Sequence, residues 1–367
     1  MRILIVHSGM YVYGGAEHLI VRLANYMTKK GIKNGILTTE IPDQMRKDLD
    51  DTEIIVEKKD RLPFDFGEIL ALNKGVRKNS HKYDVLNIHN YPAEYSLLFN
   101  KKPSVWMCNE PAVFLRLKLA KSLFSRIKNS ILLKIGKCLA KEKINRVVVA
   151  DEYNYKRFKK IYDKNPNRIA PYGIDYPFFS KRIKKKKSKD FTVLHVGMLN
   201  PFKNQIETLK TLNKIKDKIP KLKIIFAGWG EDKDKSVLDD YIKKNKLEKF
   251  VSFTGHVDRS KVRGLYNSCD VLLHPVKAQG GWLAPFEALC ASLPIIVSDE
   301  MTASPMIRKE GVGTVTKDFV KSILDVYKNS KKHKKIAEKG KKFVREKLSW
   351  DRFSEGIVQE CRKVISN

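Results

Sequence analysis

Gln279-Gly-Gly-Trp-Leu-Ala-Pro-Phe-Glu287-Ala-Leu-Cys-Ala-Ser-Leu-Pro-Ile-Ile-Val297 runs a small-residue loop into a helical pattern that carries a carboxylate, then into an apolar strand. A continuous apolar strand behind a helix belongs to a parallel sheet covered on both faces. Working outward, the same alternation predicts strands at 192–196, 222–227, 251–253, 271–273 and 294–297, with helices near 204–217, 234–246, 259–267 and 285–291. The first half repeats it with strands at 2–7, 32–37, 53–56, 85–88, 105–107 and 146–149. The fold class is therefore α/β, with two doubly wound, Rossmann-like domains. They are expected at 1–175 and 191–349, facing across a cleft onto which the carboxyl ends of both sheets open. Between them, seven of the ten residues 181–190 are basic, too charged for a core, so 176–190 reads as an exposed linker. Trp350, Phe353, Ile357 and Val358 recur at helical spacing, and 350–367 is expected to form a terminal helix that crosses back to the first domain.

The whole chain sets bounds on partners. Its 367 residues, 42% hydrophobic, are enough for two cores. Nothing approaches an 18-residue apolar run, and the chain starts directly with an apolar strand, so a cytoplasmic location or peripheral attachment to a membrane is expected. Cys108, Cys138, Cys269, Cys290 and Cys361 are odd in number and lack paired-knuckle spacing, which argues against a disulfide framework or a zinc site. Lys and Arg exceed Asp and Glu by 73 to 41, a formal charge of +32 that favours anionic partners. No nucleic-acid recognition module accompanies the charge, so no specific nucleic-acid partner is expected. Residues 111–143 hold nine Lys or Arg and one acidic residue among Leu, Ile and Phe. That composition suits helices lying on anionic lipid, and equally helices packing their apolar face on the domain.

Several strand-to-helix junctions have the make-up of an anion site. Gly14 and Gly15 precede the helical pattern Leu19, Ile20, Leu23, Ala24, Met27, where backbone can approach a ligand and free amides favour an anion; the GxGxxG spacing is absent. Gly197 through Lys203 leads from a strand to a helix, and Lys203 would place a positive charge beside a diphosphate. Gly228 closes the next strand, and His256 with Val257 follows the third, where backbone groups and a flat ring would meet a base. Gly280, Gly281, Trp282 and Leu283 form the loop before Glu287, which is expected near a helix start with Pro285 at its first position. A carboxylate there accepts hydrogen bonds from two vicinal sugar hydroxyls. Each of these features also has a purely structural reading: tight turns for the glycines, one surface lysine among many for Lys203, and a capping residue for Glu287.

Taken together, Gly14-Gly15-Ala16-Glu17, Pro171-Tyr-Gly-Ile-Asp175, Gly197 through Lys203 and the 279–287 segment resemble a GT-B glycosyltransferase of family 4, the large retaining family, over essentially the whole chain. The resemblance implies a nucleoside diphosphate sugar donor, UDP- or GDP-linked, a hexose transferred with retention to a glycan or lipid-linked acceptor, and no required metal or other cofactor. It implies that Glu287 holds the nucleotide ribose, that Gln279 stands where the family has a first Glu at the donor sugar, and that Lys203 is one of a basic pair at the diphosphate. Met198 occupies the position of the pair's Arg. In related enzymes a Cys-His-Glu-Pro run closes a strand of the first domain, and Asn109 here replaces that His. Asn109 can orient hydroxyls but cannot act as a base. His89 at the neighbouring strand end is a candidate for acceptor contact or for a structural role. The departures at Met198, Gln279 and Asn109 keep open a degenerate nucleotide-sugar-binding or partner protein, and a GT-B sugar-nucleotide epimerase remains a further alternative.

Overall fold

The computed structural model describes residues 1–11, 15–59, 61–62, 65–120, 122–183, 190–277 and 282–366. The chain divides into two compact units, Met1–Gly173 with Trp350–Asn367, and Ile174–Ser349. Among the described residues no helix is long and apolar enough to cross a membrane.

The first unit is built on a parallel sheet of β1 (Arg2–His7), β2 (Lys33–Thr38), β3 (Glu53–Val56), β4 (Val85–His89), β5 (Ser104–Met107), β6 (Arg146–Val149) and β7 (Arg168–Ile169). Their spatial order is β3-β2-β1-β4-β5-β6-β7. Side chains alternate across a strand, and β1 shows why the sheet is covered twice. Ile3 and Ile5 pack with Leu19, Ile20 and Leu23 of the helix Gly15–Lys29, while Leu4 and Val6 face the other way, into a cluster with Leu72, Val76, Trp106 and Phe158.

The first of these layers is completed by the terminal helix Trp350–Ile365, which buries Phe353, Ile357, Val358 and Cys361 there. That helix is also held by charge. The fully buried Glu360 carboxylate accepts from Arg146 Nε, from Arg168 Nε at 2.9 Å and from Lys363 Nζ at 3.0 Å. Burial alone would push its pKa up, but Arg168, Arg146 and Lys363 outweigh it and hold the carboxyl below its ordinary value. The turn into this helix explains Gly173, where a Cβ would sit 2.3 Å from the backbone nitrogen of Trp350.

The second unit carries a parallel sheet of β8 (Phe191–Val196), β9 (Leu222–Ala227), β10 (Val251–Phe253), β11 (Val271–His274), β12 (Ile295–Ser298) and β13 (Thr314–Thr316), in the order β10-β9-β8-β11-β12-β13. Its interior gathers Val193, Ile224 and Phe226 with Leu209, Leu212 and Ile323. Within the expected linker, Tyr176–Phe179 is a helical turn of this second unit, and Phe179 is buried with its ring 5.8 Å from that of Tyr266. Residues 184–189, the lysine run, lie outside the described residues. The helices near the junctions fall at Gln205–Ile215, Asp232–Lys244, Arg259–Ser268 and Leu283–Cys290. The last begins two residues earlier than expected, so Pro285 is its third residue. Proline is tolerated there because the first-turn N–H groups have no partner within the helix.

Candidate active site at the strand ends

In each sheet the strand order reverses beside the first strand, between β1 and β4 and between β8 and β11. Loops leaving the carboxyl ends there diverge, and open parallel sheets bind ligands at such points.

In the second unit, the loop after β8 carries Lys203. Asn200 Oδ1 accepts from the backbone N–H groups of Phe202 at 3.1 Å and Lys203 at 2.9 Å, a local turn that sets the lysine's direction. Asn204, in the left-handed region at φ +59°, donates from Nδ2 to the Pro275 carbonyl at 2.9 Å, and Lys277 N–H donates to the Phe202 carbonyl at 2.9 Å. The loop is thereby tied to the end of β11 across the reversal point. The Lys203 stem lies over Gly197, whose added Cβ would meet the lysine carbons at 3.3–3.4 Å. His195 beneath is buried and donates or accepts at Nδ1 with Thr208 Oγ1; burial first, then Lys203, lower its pKa to about 3, so it is neutral.

The glycines of this edge have a definite structural cause. Gly197 and Gly228 have φ of +146° and +151°, and a Cβ on Gly228 would stand 2.1 Å from the Gly197 carbonyl oxygen. The two loops cross in backbone contact, with Leu199 N–H donating to the Trp229 carbonyl at 2.7 Å. The Met198 side chain is exposed, on the same loop as Lys203. Beyond β10, His256 is exposed and Val257 half-buried. Val257 lines an open cavity of about 590 Å³ with Thr254, Asp258, Lys261, Arg263 and Leu265, a volume within the range of small-molecule sites.

Glu287 stands in the second turn of the helix Leu283–Cys290, not at its cap as the capping reading had it. Its Oε2 accepts from the Tyr266 hydroxyl at 3.0 Å, and Tyr266 itself is buried between helices. Burial pushes the Glu287 pKa up to about 7; the Tyr266 bond and Arg259 offset part of that rise, and Asp175 adds to it. Arg259 is fixed in turn by Asp175 at 3.0 Å. The site thus holds a carboxyl poised between its two protonation states, and hydroxyls donating to it would favour the charged form. Tyr266, Arg259 and Asp175 are partners that sequence spacing does not reveal. Trp282 is buried against Phe286, ring centroids 4.7 Å apart, which gives it a packing role; Leu283 is half-buried. Gln279, Gly280 and Gly281 lie outside the described residues, as does Gly14, whereas Gly15 opens the first helix.

At the carboxyl edge of the first sheet, four side chains form a relay. Tyr172 O–H donates to Asn109 Oδ1 at 2.6 Å, Asn109 Nδ2 donates to Asn90 Oδ1, and Asn90 Nδ2 donates to His7 Nε2 at 3.3 Å. His7 Nδ1 donates to the Ser8 carbonyl at 2.8 Å. Burial lowers the His7 pKa, against the Ser8 bond and the nearby Glu17 and Glu68, so the imidazole is neutral. Every member's orientation follows from its neighbours, and the half-buried Asn109 is held as a fixed polar group. His89 does not join it. It is fully buried, with Nε2 on Asn87 Oδ1 at 2.7 Å, and burial, then His7, hold its pKa well below the ordinary value. The structural role is the one its surroundings support.

Residues 13–178 match the model of Glycosyltransferase Family 4, and residues 178–343 match that of Glycosyl transferases group 1. The chain belongs to these glycosyltransferases. Among curated relatives, the alpha-monoglucosyldiacylglycerol synthase of Acholeplasma laidlawii is 30% identical over 158 residues, 38% of this chain and 39% of that protein. The putative glycosyltransferase EpsD of Bacillus subtilis is 25% identical over 211 residues, 55% of this chain and 52% of that protein. The chain thus spans about half or less of the length of these relatives. Among solved structures, sucrose-phosphate synthase from Thermosynechococcus elongatus superposes with a TM-score of 0.81 at 14% identity, over 100% of this chain and 99% of that one. HepE of Anabaena in complex with UDP-glucose gives 0.79 at 16%, over 99% and 100%. At such identities the likeness establishes the fold, GT-B with two Rossmann-like domains. For a glycosyltransferase of this family, the described residues bring Lys203 and Glu287 onto the carboxyl side of one sheet and place Asn109 on that of the other. Among the described residues no cluster of His, Cys, Asp and Glu could hold a metal ion.

Proposed function

We propose that this glycosyltransferase moves a hexose from a nucleoside diphosphate sugar, UDP- or GDP-linked, to a glycan or lipid-linked acceptor, with retention of the anomeric configuration. The observation that carries the reading is the half-buried Glu287 on the buried Tyr266 hydroxyl, a carboxyl with its pKa raised to about 7 that two vicinal ribose hydroxyls would satisfy. Lys203, anchored over Gly197, supplies charge for the departing diphosphate. Asn109, fixed by Tyr172 and Asn90, orients an acceptor hydroxyl. No protein base is needed if the departing phosphate oxygen takes the acceptor proton on the same face of the sugar, so that positioning and preorganised charge lower the barrier. HepE in complex with UDP-glucose, a structure of the same fold, favours a UDP-linked donor.

The test is calorimetric binding of UDP, GDP and ADP, repeated with Glu287→Ala, followed by a transfer assay with the matching sugar donors. Selective binding that vanishes with Glu287 supports the reading; binding that survives the substitution unchanged refutes the ribose role. The exposed Met198, where the family carries Arg, favours a second reading, a nucleotide-sugar-binding protein without transfer. Selective nucleotide binding with no transfer to any glycan or lipid acceptor would establish that alternative.

A further inference from the structure

The helix Leu123–Glu142 departs from the usual division of a surface helix into one buried and one polar face. Its inner face buries Asn129, Leu132, Gly136, Leu139 and Ala140, and the Tyr95 hydroxyl donates to the Leu132 carbonyl at 2.8 Å, so that face is seated on the domain. Its start is fixed by Ser122, whose Oγ accepts from Ser125 N–H at 3.2 Å. Yet the outer face of the first turns is apolar as well: Leu123 is 73% exposed, Phe124 62%, Ile127 52% and Ile131 53%. Leu123, Ile127 and Ile131 recur every four residues and form one stripe, with Phe124 beside it. Scattered exposed apolar residues are ordinary, but four large ones in nine residues on one helix face make a patch.

The patch is framed by one sign of charge. Arg126, Lys134, Lys137 and Lys141 are exposed on the same helix, and no Asp or Glu occurs between Pro111 and Lys141. A second copy of this chain would set these cations against each other, with +32 on each partner. A surface that accepts an apolar wedge while presenting anions around it fits both features at once.

We propose that the first turns of the helix Leu123–Glu142 dock on an anionic lipid bilayer, with Leu123, Phe124, Ile127 and Ile131 entering the acyl boundary and Arg126, Lys134, Lys137 and Lys141 meeting the headgroups. Docking holds the sugar-transfer machinery at a surface where lipid-linked acceptors reside, and it involves neither Lys203 nor Glu287.

The experiment is sedimentation of the full chain with vesicles of phosphatidylcholine alone or mixed with phosphatidylglycerol, without any sugar donor. Failure of docking therefore leaves the transfer reading standing, and the converse holds. Wild type should bind the anionic vesicles and not the neutral ones. Lys134→Gln with Lys137→Gln should weaken partitioning by at least tenfold, given about fivefold per lysine at an anionic surface. Phe124→Ser with Ile127→Ser, which leaves the charge unchanged, should weaken it at least tenfold and abolish the part that resists high salt. As a control of equal charge loss, Lys331→Gln with Lys335→Gln on the helix Ser330–Lys347 should bind as wild type does. A Phe124→Trp variant should show a blue-shifted emission with anionic vesicles. The proposal is overturned if the control weakens binding as much as the Lys134 and Lys137 pair, if the Phe124 and Ile127 pair binds undiminished, or if the patch proves instead to hold two copies of the chain together in sedimentation velocity.

Discussion

Replacing Glu287 by Gln separates what its carboxylate costs the fold from what it does for a ligand. The ordinary value of this carboxyl is 4.5, and burial raises it to about 7 in the folded protein. Between those values the folded chain holds a proton that the unfolded chain has released, so the contribution to stability is fully present below pH 4.5 and is lost as pH rises through 7. Between pH 5 and pH 8 that loss is ~2–3 kcal/mol. Glu287→Gln keeps an oxygen to accept from Tyr266 and has no proton to lose. Its stability relative to wild type should therefore rise by this amount over the interval, roughly 5–10 °C in melting temperature for a domain of this size. Ligand binding should run the opposite way. Ribose hydroxyls donating to the ionised form would make UDP bind about tenfold tighter at pH 8 than at pH 6, beyond any change seen in Glu287→Gln. Melting curves of both proteins at the two stability pH values, with calorimetry of UDP at the two binding values, measure each half. A stability gap that is flat with pH, or one that widens toward acid, would refute the account of Glu287.

Three further substitutions probe other parts. Lys203→Ala should lower sugar transfer tenfold or more, about 1.4 kcal/mol in barrier; an unchanged rate with normal donor saturation would remove Lys203 from the diphosphate. Gly228→Ala would press a Cβ to 2.1 Å from the Gly197 carbonyl oxygen, and the shift of the loop should cost roughly 2–4 kcal/mol in denaturant unfolding, with UDP binding lost alongside; a neutral substitution would show that the crossing is loose. Glu360→Ala leaves Arg146 and Arg168 facing each other without their shared anion, and urea unfolding should register about 3–5 kcal/mol, whereas a loss under about 1 kcal/mol would mean that apolar packing alone seats the terminal helix.

The strands that sequence periodicity reveals most directly are those buried on both faces. β1, β2, β4, β5 and β6 in the first sheet and β8, β11 and β12 in the second are apolar runs at the expected places because their residues are largely buried, whereas the edge strands β3 and β10 are half-buried or exposed and are legible only from the short β-branched and aromatic runs Glu53-Ile-Ile-Val56 and Val251-Ser-Phe253. β7 and β13 escape the sequence reading: they are half-buried edge strands like β10, but Arg168-Ile169 and Thr314-Val-Thr316 each carry a single large apolar residue and so no apolar run to read. The start of the helix at Leu283 was misplaced for a related reason, since Pro285 satisfies any of the first turn's positions and so marks the turn without fixing its first residue. Within the candidate site, the polar and charged residues at the strand ends are legible in the sequence and the partners that hold them are not. Tyr266 meets Glu287 across two helices, and Tyr172, Asn90 and His7 reach Asn109 only because the sheet order brings the ends of β1, β4, β5 and β7 together.

The two departures described in the structure have different physical settings, and this bears on whether the chain transfers sugar. Met198 is exposed on its loop. On the proposed reading, Lys203 then meets the diphosphate without the cation that the resemblance places at this position. Asn109 is the reverse case. Its amide oxygen is taken by the half-buried Tyr172 and its amide nitrogen by Asn90, which is itself fixed on a neutral histidine. Holding a half-buried amide in one orientation means ordering three other polar side chains, which is unfavourable unless each finds its partner. A site that merely bound a nucleotide on the second sheet would have no use for such a relay on the first. The relay therefore supports the proposed acceptor-positioning role of Asn109, and on the proposed reading, in which Lys203 faces the diphosphate, restoring a cation by Met198→Arg should raise transfer and leave Asn109 unaffected.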